Sequence, residues 1–263
     1  MIPERSGSVT VFRFALLSGY PELVHGVFAR EGGTSPAPFH SLNVAFGGDE
    51  DACVAANRRI IESWTGGMRL APLRQVHGTR VHVFNGAGAD PVSDHRPPPE
   101  ADAAVTAAVD TALLIQVADC QPVMLFDPQR RVVANVHSGW RGSIDNVIGR
   151  TVAVMETDFG CRPRDLVAGI GPSLGPCCAE FINYASEIPK VFWGYRRGAH
   201  HFDFWAISRE QLSAAGVPDE NIETGGICTR CHPNLFYSYR HERLTGRSGA
   251  VIALRPPLDP EAR

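Results

Sequence analysis

The sequence predicts a mixed α/β fold, in which mixed β-sheets are flanked by helices within a single domain. Three observations support this prediction. Runs of β-forming residues alternate with amphipathic helical patterns along the chain, and a strong hairpin signal lies near its middle. With 263 residues, 44% of them hydrophobic and 20% charged, the chain has the composition of an ordinary globular protein and can bury a large core.

Short runs rich in β-branched and apolar residues predict the strands. They are Val9–Leu16, Thr79–Phe84, Ala103–Thr106, Ala112–Val117, Val123–Phe126, Arg131–Val136, Leu166–Ile170 and Ala250–Leu254. Longer stretches with apolar residues at helical spacing predict the helices. They are Asp51–Trp64, Ser143–Phe159, Ala179–Val191 and Ile207–Ala215.

Two stretches, Gly86–Asp102 and Arg255–Arg263, have the composition of irregular segments. The first is long enough to form a flap over a ligand or a poorly ordered excursion. Because the composition does not shift across it, we expect one domain over residues 1–263. The second is expected to be a flexible tail.

Net charge and cysteine usage limit the classes of partner. A formal charge of -3 gives no reason to expect nucleic acid or an anionic membrane as a partner. No apolar run approaches the roughly 20 residues of a membrane helix, and the first residues do not form a secretory signal. Seven cysteines, an odd number, favour a reducing cytoplasm in which thiols are free, metal-bound or catalytic. The oligomeric state stays open.

The segment from Leu113 to His137 predicts a β-hairpin that brings two reactive side chains together. The string Asp-Pro-Gln-Arg, starting at Asp127, is favourable turn chemistry. If its proline and glutamine form the tip, Cys120 lies directly opposite His137, with Cβ atoms about 4.5–5.5 Å apart. An odd loop or a bulge would break this pairing, and Pro122 could leave Cys120 on a loop beside the strand.

A thiol opposite an imidazole fits two kinds of chemistry. The pair could be a Cys–His nucleophilic centre, or two ligands of a metal such as zinc. A third ligand would separate the two interpretations, and His77 is the candidate. It precedes a β-like run and is followed by Gly78, which permits close approach. His82, within that run, is interpreted as a surface or packing residue.

The strings RQVHG, ADCQPV and HSGWRG together resemble the laccase-like multicopper polyphenol oxidoreductase family. This group is associated with purine nucleoside phosphorylase and adenosine deaminase activity and with the bacterial peptidoglycan editing factor. The resemblance covers about residues 25–254 and implies that His77, Cys120 and His137 are metal ligands. The chain departs from the family at Ser173, where a cysteine is frequent, and in the string CAEF, where Tyr-Glu-Val is common.

The implied ligand set predicts the chemistry of the site. Two histidines and one cysteine leave a tetrahedral Zn²⁺ with one open position, where a water can reach a pKa of about 7. The resemblance therefore implies phosphorolysis of purine nucleosides and deamination of adenosine to inosine, with phosphate as co-substrate. Copper is the alternative metal, because it also binds thiolate and imidazole. A copper-dependent phenol oxidase, a metal-free Cys–His hydrolase or amidase, and a factor in peptidoglycan quality control are the alternative functions.

Further site residues are expected around the strand-to-helix corner after His137. Ser138 is a candidate helix N-cap, and Gly139 makes room beside the ligand. Arg141 either helps the helix start to bind an anion or is simply solvated. Trp140 is expected to pack in the core rather than stack on a base.

The remaining candidates are the residues expected to bind substrate or to assist the ligands. Arg30, Ser41 and Asn43 are chosen for phosphate by resemblance and side-chain type, and Gln75 precedes the ligand loop. Asp119 could accept a hydrogen bond from a ligand histidine, act as a general base, or point to the opposite face.

The string CTRCH, Cys228–His232, leaves several interpretations open. It matches the attachment string of c-type haem. It could also form a zinc knuckle with Cys177 and Cys178. The simplest interpretation is two thiols near a Pro-Asn turn. A cytidine-deaminase site is not indicated, because its H-x-E and P-C-x-x-C strings do not occur.

Overall fold

The fold was taken from a computed structural model, which describes residues 1–85 and 97–256. Their strands form two six-stranded mixed sheets and one small two-stranded sheet. The mixed α/β architecture predicted from the sequence is therefore confirmed. Of the two irregular segments, residues 86–96 of Gly86–Asp102 and residues 257–263 of the tail lie outside the described residues.

The strands follow the chain in fourteen numbered segments within the described residues. They are β1 (Ile2–Ser6), β2 (Val9–Arg13), β3 (Leu23–Phe28), β4 (Arg69–Pro72), β5 (Val81–Phe84), β6 (Ala103–Thr106), β7 (Thr111–Val117), β8 (Gln121–Asp127), β9 (Val132–Ser138), β10 (Val167–Ile170), β11 (Arg196–Arg197), β12 (His201–Phe202), β13 (Ile222–Thr224) and β14 (Ser248–Leu254). The first sheet has the order β1-β2-β3-β14-β7-β4 and the second β13-β10-β8-β9-β6-β5.

Helices flank these sheets. They are α1 (Ala15–Ser18), α2 (Asp51–Trp64), α3 (Trp140–Ile144), α4 (Val147–Phe159), α5 (Tyr184–Glu187) and α6 (Phe204–Ala214). Among the described helices, none is long and apolar enough to cross a lipid bilayer.

The two large sheets pack face to face around a shared hydrophobic core. On β6, Ala104 faces this shared core, whereas Ala103 and Val105 face the helices α4 and α6, as the two-residue period of a strand requires. The opposite face of the first sheet packs against α2. Buried Asn135 on β9 joins the sheets, because its Nδ2 donates to the carbonyl oxygens of Leu113 and Ala250 at 2.9 and 2.8 Å.

The hairpin of β8 and β9 forms with a register that differs from the prediction. Pro122, not Cys120, lies opposite His137. The loop has four residues, since Asp127 Oδ1 accepts the N–H groups of the two residues after Pro128 and Arg131 takes the left-handed conformation at φ 54°. Cys120 therefore lies in the turn just before β8, which was the alternative considered for Pro122.

Two predicted helices are also corrected. Ser143–Phe159 is divided into α3 and α4, because Asn146 adopts φ 58° and its side chain caps the start of α4 by accepting the Gly149 N–H. Within Ala179–Val191 only α5 is an α-helix, and a 3-10 turn at Lys190–Tyr195 follows. There the aromatic side chains pack into a separate cluster with β12 and α6, which overrides the helical pattern.

Candidate metal centre

His77, Cys120 and His137 converge on one point at the end of the β8–β9 pair. Their ligand atoms all lie within 4.8 Å of one another. Cys120 Sγ is 3.8 Å from His77 Nε2, and the two imidazole rings are 4.8 Å apart between centroids. The three side chains thus form a group able to hold one metal ion.

Each ligand reaches this point from a different local structure. His137 is the next-to-last residue of β9, and Cys120 follows Asp119, whose φ of 86° turns the chain sharply. His77 lies on the loop after β4 with φ 61°. Gly139 leaves the necessary space, because a Cβ there would lie 2.9 Å from His77 Cδ2 and 3.2 Å from Cys120 Sγ. Its predicted role of making room beside the ligands agrees with these distances.

Asp102 organises the site, and sequence reasoning did not single it out. Its carboxylate is fully buried, and Oδ1 lies 2.8 Å from His137 Nδ1. The same carboxylate accepts the backbone N–H groups of His77 and Gly78 at 2.8 and 2.7 Å. A carboxylate on the second ring nitrogen fixes the orientation of a ligand histidine and leaves Nε2 for the metal. One buried side chain therefore orients His137 and holds the loop of His77.

The electrostatics favour the thiolate form of Cys120. Burial alone would raise the pKa of this thiol, but His137 and His77 outweigh burial and lower the pKa to about 6. Burial would lower the pKa of His137, whereas the Cys120 thiolate and the Asp102 carboxylate raise it to about 9. The pKa of Asp102 is lowered despite its burial, because His137 and the Gly78 N–H stabilise the carboxylate. Thiolate is the form in which cysteine binds metals.

Exposure decides from which side a substrate could reach the centre. His137 is buried, Cys120 is half-buried and His77 is exposed. The centre therefore opens to solvent on the side of His77. Three protein ligands with one accessible side are the pattern of a catalytic metal site, whereas structural sites are closed by four ligands.

Asp119 does not accept a hydrogen bond from His137, because Asp102 occupies that position. Instead Asp119 Oδ1 accepts from Thr229 Oγ1 at 2.7 Å and Oδ2 from the Arg240 N–H at 2.6 Å. Its carboxylate thus faces the loop that contains Cys228–His232. Gln75 clamps β7, because its side chain exchanges two hydrogen bonds of 2.8 Å with the backbone of Gln116.

The residues expected to bind phosphate are engaged in other contacts. The Arg30 guanidinium donates to the carbonyls of Pro233 and His40 and lies 4.7 Å from the ring centroid of Tyr237. The Ser41 hydroxyl accepts the Gly33 N–H at 3.0 Å.

Both the NH₂ group and the oxygen of the Asn43 side chain are hydrogen-bonded. Its amide group donates to Asp49 and Ala45, and its oxygen accepts the N–H groups of Ala45 and Arg247.

The corner after His137 differs from the prediction at its first residue. Gly139, not Ser138, is the N-cap of α3, because the Ser138 hydroxyl is paired with Ser143 at 2.9 Å. Arg141 is exposed and its guanidinium lies 4.5 Å from the ring centroid of Trp140. Trp140 packs against the aromatic cluster rather than standing free.

Together the fold and the centre define a two-sheet α/β protein with an open His-Cys-His site for a metal ion. The chain belongs to the family described as multi-copper polyphenol oxidoreductase laccase, whose model matches residues 24–255. This match confirms the resemblance found in the sequence.

Similar proteins cover nearly the whole chain. The purine nucleoside phosphorylase of Xylella fastidiosa strain 9a5c is 38% identical over 233 residues, which are 82% of this chain and 85% of that protein. Purine nucleoside phosphorylase YlmD of Geobacillus stearothermophilus is 32% identical over 249 residues, 88% of this chain and 90% of that protein. The crystal structure of YlmD from this organism matches with a TM-score of 0.85 and 29% identity over 96% of this chain and 98% of that one. Bacillus licheniformis protein YfiH matches with a TM-score of 0.85 and 25% identity over 95% and 97%.

Proposed function

We propose that this protein is a zinc-dependent enzyme of purine nucleosides, which cleaves adenosine or inosine with phosphate and also deaminates adenosine. Methylthioadenosine is a further candidate substrate. The observation that carries the proposal is the convergence of His77, Cys120 and His137 within 4.8 Å on an open face. The names of its relatives from Xylella fastidiosa and Geobacillus stearothermophilus support the substrate class.

Both proposed reactions need an activated oxygen nucleophile. In phosphorolysis a phosphate oxygen bonds to ribose C1′, the bond from C1′ to purine N9 breaks, and the purine takes up a proton. In deamination the oxygen of water replaces the amino group at C6 of adenine, and ammonia leaves. A zinc ion held by the three ligands would supply a Lewis acid that makes water more acidic near neutral pH.

The residues of the chain position this chemistry. Asp102 keeps the His137 proton on Nδ1, so that Nε2 faces the centre. Cys120 contributes negative charge as a thiolate, and the exposed side of His77 leaves an approach for the nucleoside. Asp119 acts as a positioning residue for Cys120 through its hydrogen bonds to Thr229 and Arg240.

For the phosphate, the exposed guanidinium of Arg141 lies at the strand-to-helix corner after His137. The neighbouring start of α3 supplies backbone N–H groups without helical partners. Arg30, Ser41 and Asn43 stay the candidates suggested by resemblance, and Gln75 acts by holding the strand beside the His77 loop. Arg141→Ala should therefore raise the KM for phosphate more than the KM for adenosine.

Incubation of the zinc-loaded protein with adenosine, with and without phosphate, tests the function. Chromatography should show adenine and ribose 1-phosphate only when phosphate is present, and inosine in both cases. His77→Ala and Cys120→Ala are the controls for contaminating enzymes. If no adenine, hypoxanthine or inosine exceeds these controls, the proposed function is wrong.

The lowered pKa of Cys120 beside His137 favours a second candidate, a Cys–His hydrolase or amidase that needs no metal. Such an enzyme would lose activity on alkylation of Cys120, keep it after chelation, and tolerate His77→Ala. Elemental analysis of unsupplemented protein separates zinc from copper, and oxygen consumption with a phenol tests the oxidase.

A further inference from the structure

Four cysteines form a second cluster that the proposed function does not use. Cys177 and Cys178 lie in a turn after β10, and Cys228 and Cys231 lie in the loop after β13. All four Sγ atoms lie within 4.8 Å of one another. The Sγ atoms of Cys177 and Cys178 are 3.6 and 3.5 Å from Cys231 Sγ.

These separations fit a shared metal ion better than a disulfide. Four thiolates around a tetrahedral Zn²⁺ at about 2.3 Å place neighbouring sulfurs about 3.8 Å apart. A disulfide requires about 2.05 Å. The four cysteines are free thiols, and the pairs that touch Cys231 lie close to the tetrahedral edge length.

The backbone around the cluster is arranged to receive these sulfurs. The Gly175 N–H donates to Cys228 Sγ at 3.3 Å, which stabilises a thiolate. Gly175 is required there, because a Cβ would lie 2.8 Å from Trp205 and 3.1 Å from Cys228 Cβ. The two cysteine segments are joined by backbone hydrogen bonds on both sides of Ser173, from its N–H to Ile227 and from Thr229 to its carbonyl.

Two arginines near the four cysteines would offset part of the negative charge of a thiolate site. Four thiolates and one Zn²⁺ carry a net charge of −2. Arg230 lies between Cys228 and Cys231 in the sequence, which puts one cation on the same loop. Arg240 donates to the carbonyl oxygens of Cys178 and Glu180 at 3.2 and 3.0 Å, which brings a second cation beside the turn.

We propose that Cys177, Cys178, Cys228 and Cys231 bind one Zn²⁺ in a closed, structural site, separate from the His77 centre. Binding would release the thiol protons to solvent and leave the oxidation states of zinc and sulfur unchanged. With four protein ligands, no position remains for a substrate. The site therefore has a structural role, and it does not depend on the nucleoside activity.

The cysteine site also holds in place the backbone next to Cys120 of the His77, Cys120 and His137 centre. Thr229, between two of the cysteines, donates to Asp119 Oδ1, and the Arg240 N–H donates to Oδ2. The Leu174 N–H, from the other cysteine segment, donates to the Asp119 carbonyl at 2.8 Å. Because Asp119 holds an unfavourable φ of 86° directly before Cys120, these three bonds fix the position of that ligand.

Metal content per chain tests the proposal without an activity assay. Mass spectrometry of the metals in protein grown with zinc should find about two zinc ions per chain, and about one in the double variant His77→Ala/His137→Ala. The pair Cys177→Ser/Cys231→Ser removes the two exposed ligands and should also leave about one, whereas Cys53→Ser, a free thiol elsewhere, should keep about two.

Cobalt substitution distinguishes the two sites by their ligands. In the His77→Ala/His137→Ala protein, Co²⁺ should give the strong thiolate-to-metal charge-transfer absorption of four sulfurs, and Cys177→Ser/Cys231→Ser should abolish it. The proposal is overturned if the His77→Ala/His137→Ala protein is folded and binds no zinc. It is also overturned if the intact protein, purified under reducing conditions, shows a mass lower by two hydrogens and a disulfide at Cys231.

Discussion

Replacement of Asp102 by asparagine should weaken the metal centre without changing its shape. Asparagine has the same size, so no cavity forms, but only one of its two terminal atoms accepts hydrogen bonds. If its oxygen serves His137 and the His77 N–H, its amide group faces the Gly78 and Val76 N–H groups, which Oδ2 now accepts at 2.7 and 3.3 Å. The two backbone N–H groups then face the NH₂ group of the asparagine, which is itself a donor and cannot accept their hydrogen bonds.

The magnitude follows from these lost bonds. A buried donor left without an acceptor costs about 1–3 kcal/mol, and Val76 is exposed enough for water to replace part of this. We therefore expect the free energy of unfolding to fall by about 2 kcal/mol. Loss of the carboxylate behind His137 should raise the Kd for zinc about 10- to 100-fold.

Competition with a chromophoric chelator measures the zinc affinity, and urea denaturation measures stability. Asp127→Asn is the matched control, because Asp127 is equally buried but caps the β8–β9 turn through Gln129 and Arg130. Because both N–H groups bind the single oxygen Oδ1, which asparagine retains, the control should keep the zinc affinity. If Asp102→Asn binds zinc as tightly as the unchanged protein, Asp102 does not orient the ligands.

Three further predictions concern the ligand corner and the core. Gly139→Ala places a Cβ 2.9 Å from a ring carbon of a ligand histidine, so zinc affinity should fall more than about tenfold, whereas Gly194→Ala, with open space around it, should leave zinc titrations unchanged. Buried His25 accepts the Phe14 N–H, and burial lowers its pKa from 6.5 to about 4, so stability is full above pH 6.5 and falls below it. Urea denaturation should show that the free energy of unfolding falls by about 2 kcal/mol between pH 7 and pH 5. His25→Gln should remove this pH dependence, and a variant with the same pH dependence as the unchanged protein would contradict the role of His25. Asn135→Leu removes both of its buried hydrogen bonds to backbone carbonyls and should cost about 1–3 kcal/mol by the same method, and a loss under about 0.5 kcal/mol would show that the sheets do not need this link.

The three ligands could be proposed from the sequence because each stands in a distinctive string. The hairpin also predicted correctly that Cys120 and His137 come close, although its register was wrong. Proline at the second turn position favours a short tip, but the Asp127 side chain binds two N–H groups and extends the loop to four residues. Such a side-chain contact has no signature in hydrophobic periodicity.

Asp102 was not singled out from the sequence, and a cluster of Cys177 and Cys178 with Cys228–His232 was only one of several interpretations. Asp102 is 35 residues from His137, and Cys177 is 54 residues from Cys231, so only the fold brings them together. β3 was missed because His25 and Gly26 interrupt its apolar run, although all six of its residues are buried. A signal for Asp102 does exist, since an acidic residue directly before a buried strand is placed at the edge of a sheet.

The unequal attachment of the three ligands has a kinetic consequence. His137 lies in β9 and Cys120 directly precedes β8, its neighbour at the centre of a packed sheet. His77, in contrast, lies on an exposed loop. A metal ion would therefore bind first to Cys120 and His137 and last to His77. Release would reverse this order, so the residence time of a bound metal would depend on how often the His77 loop breaks its hydrogen bonds to Asp102.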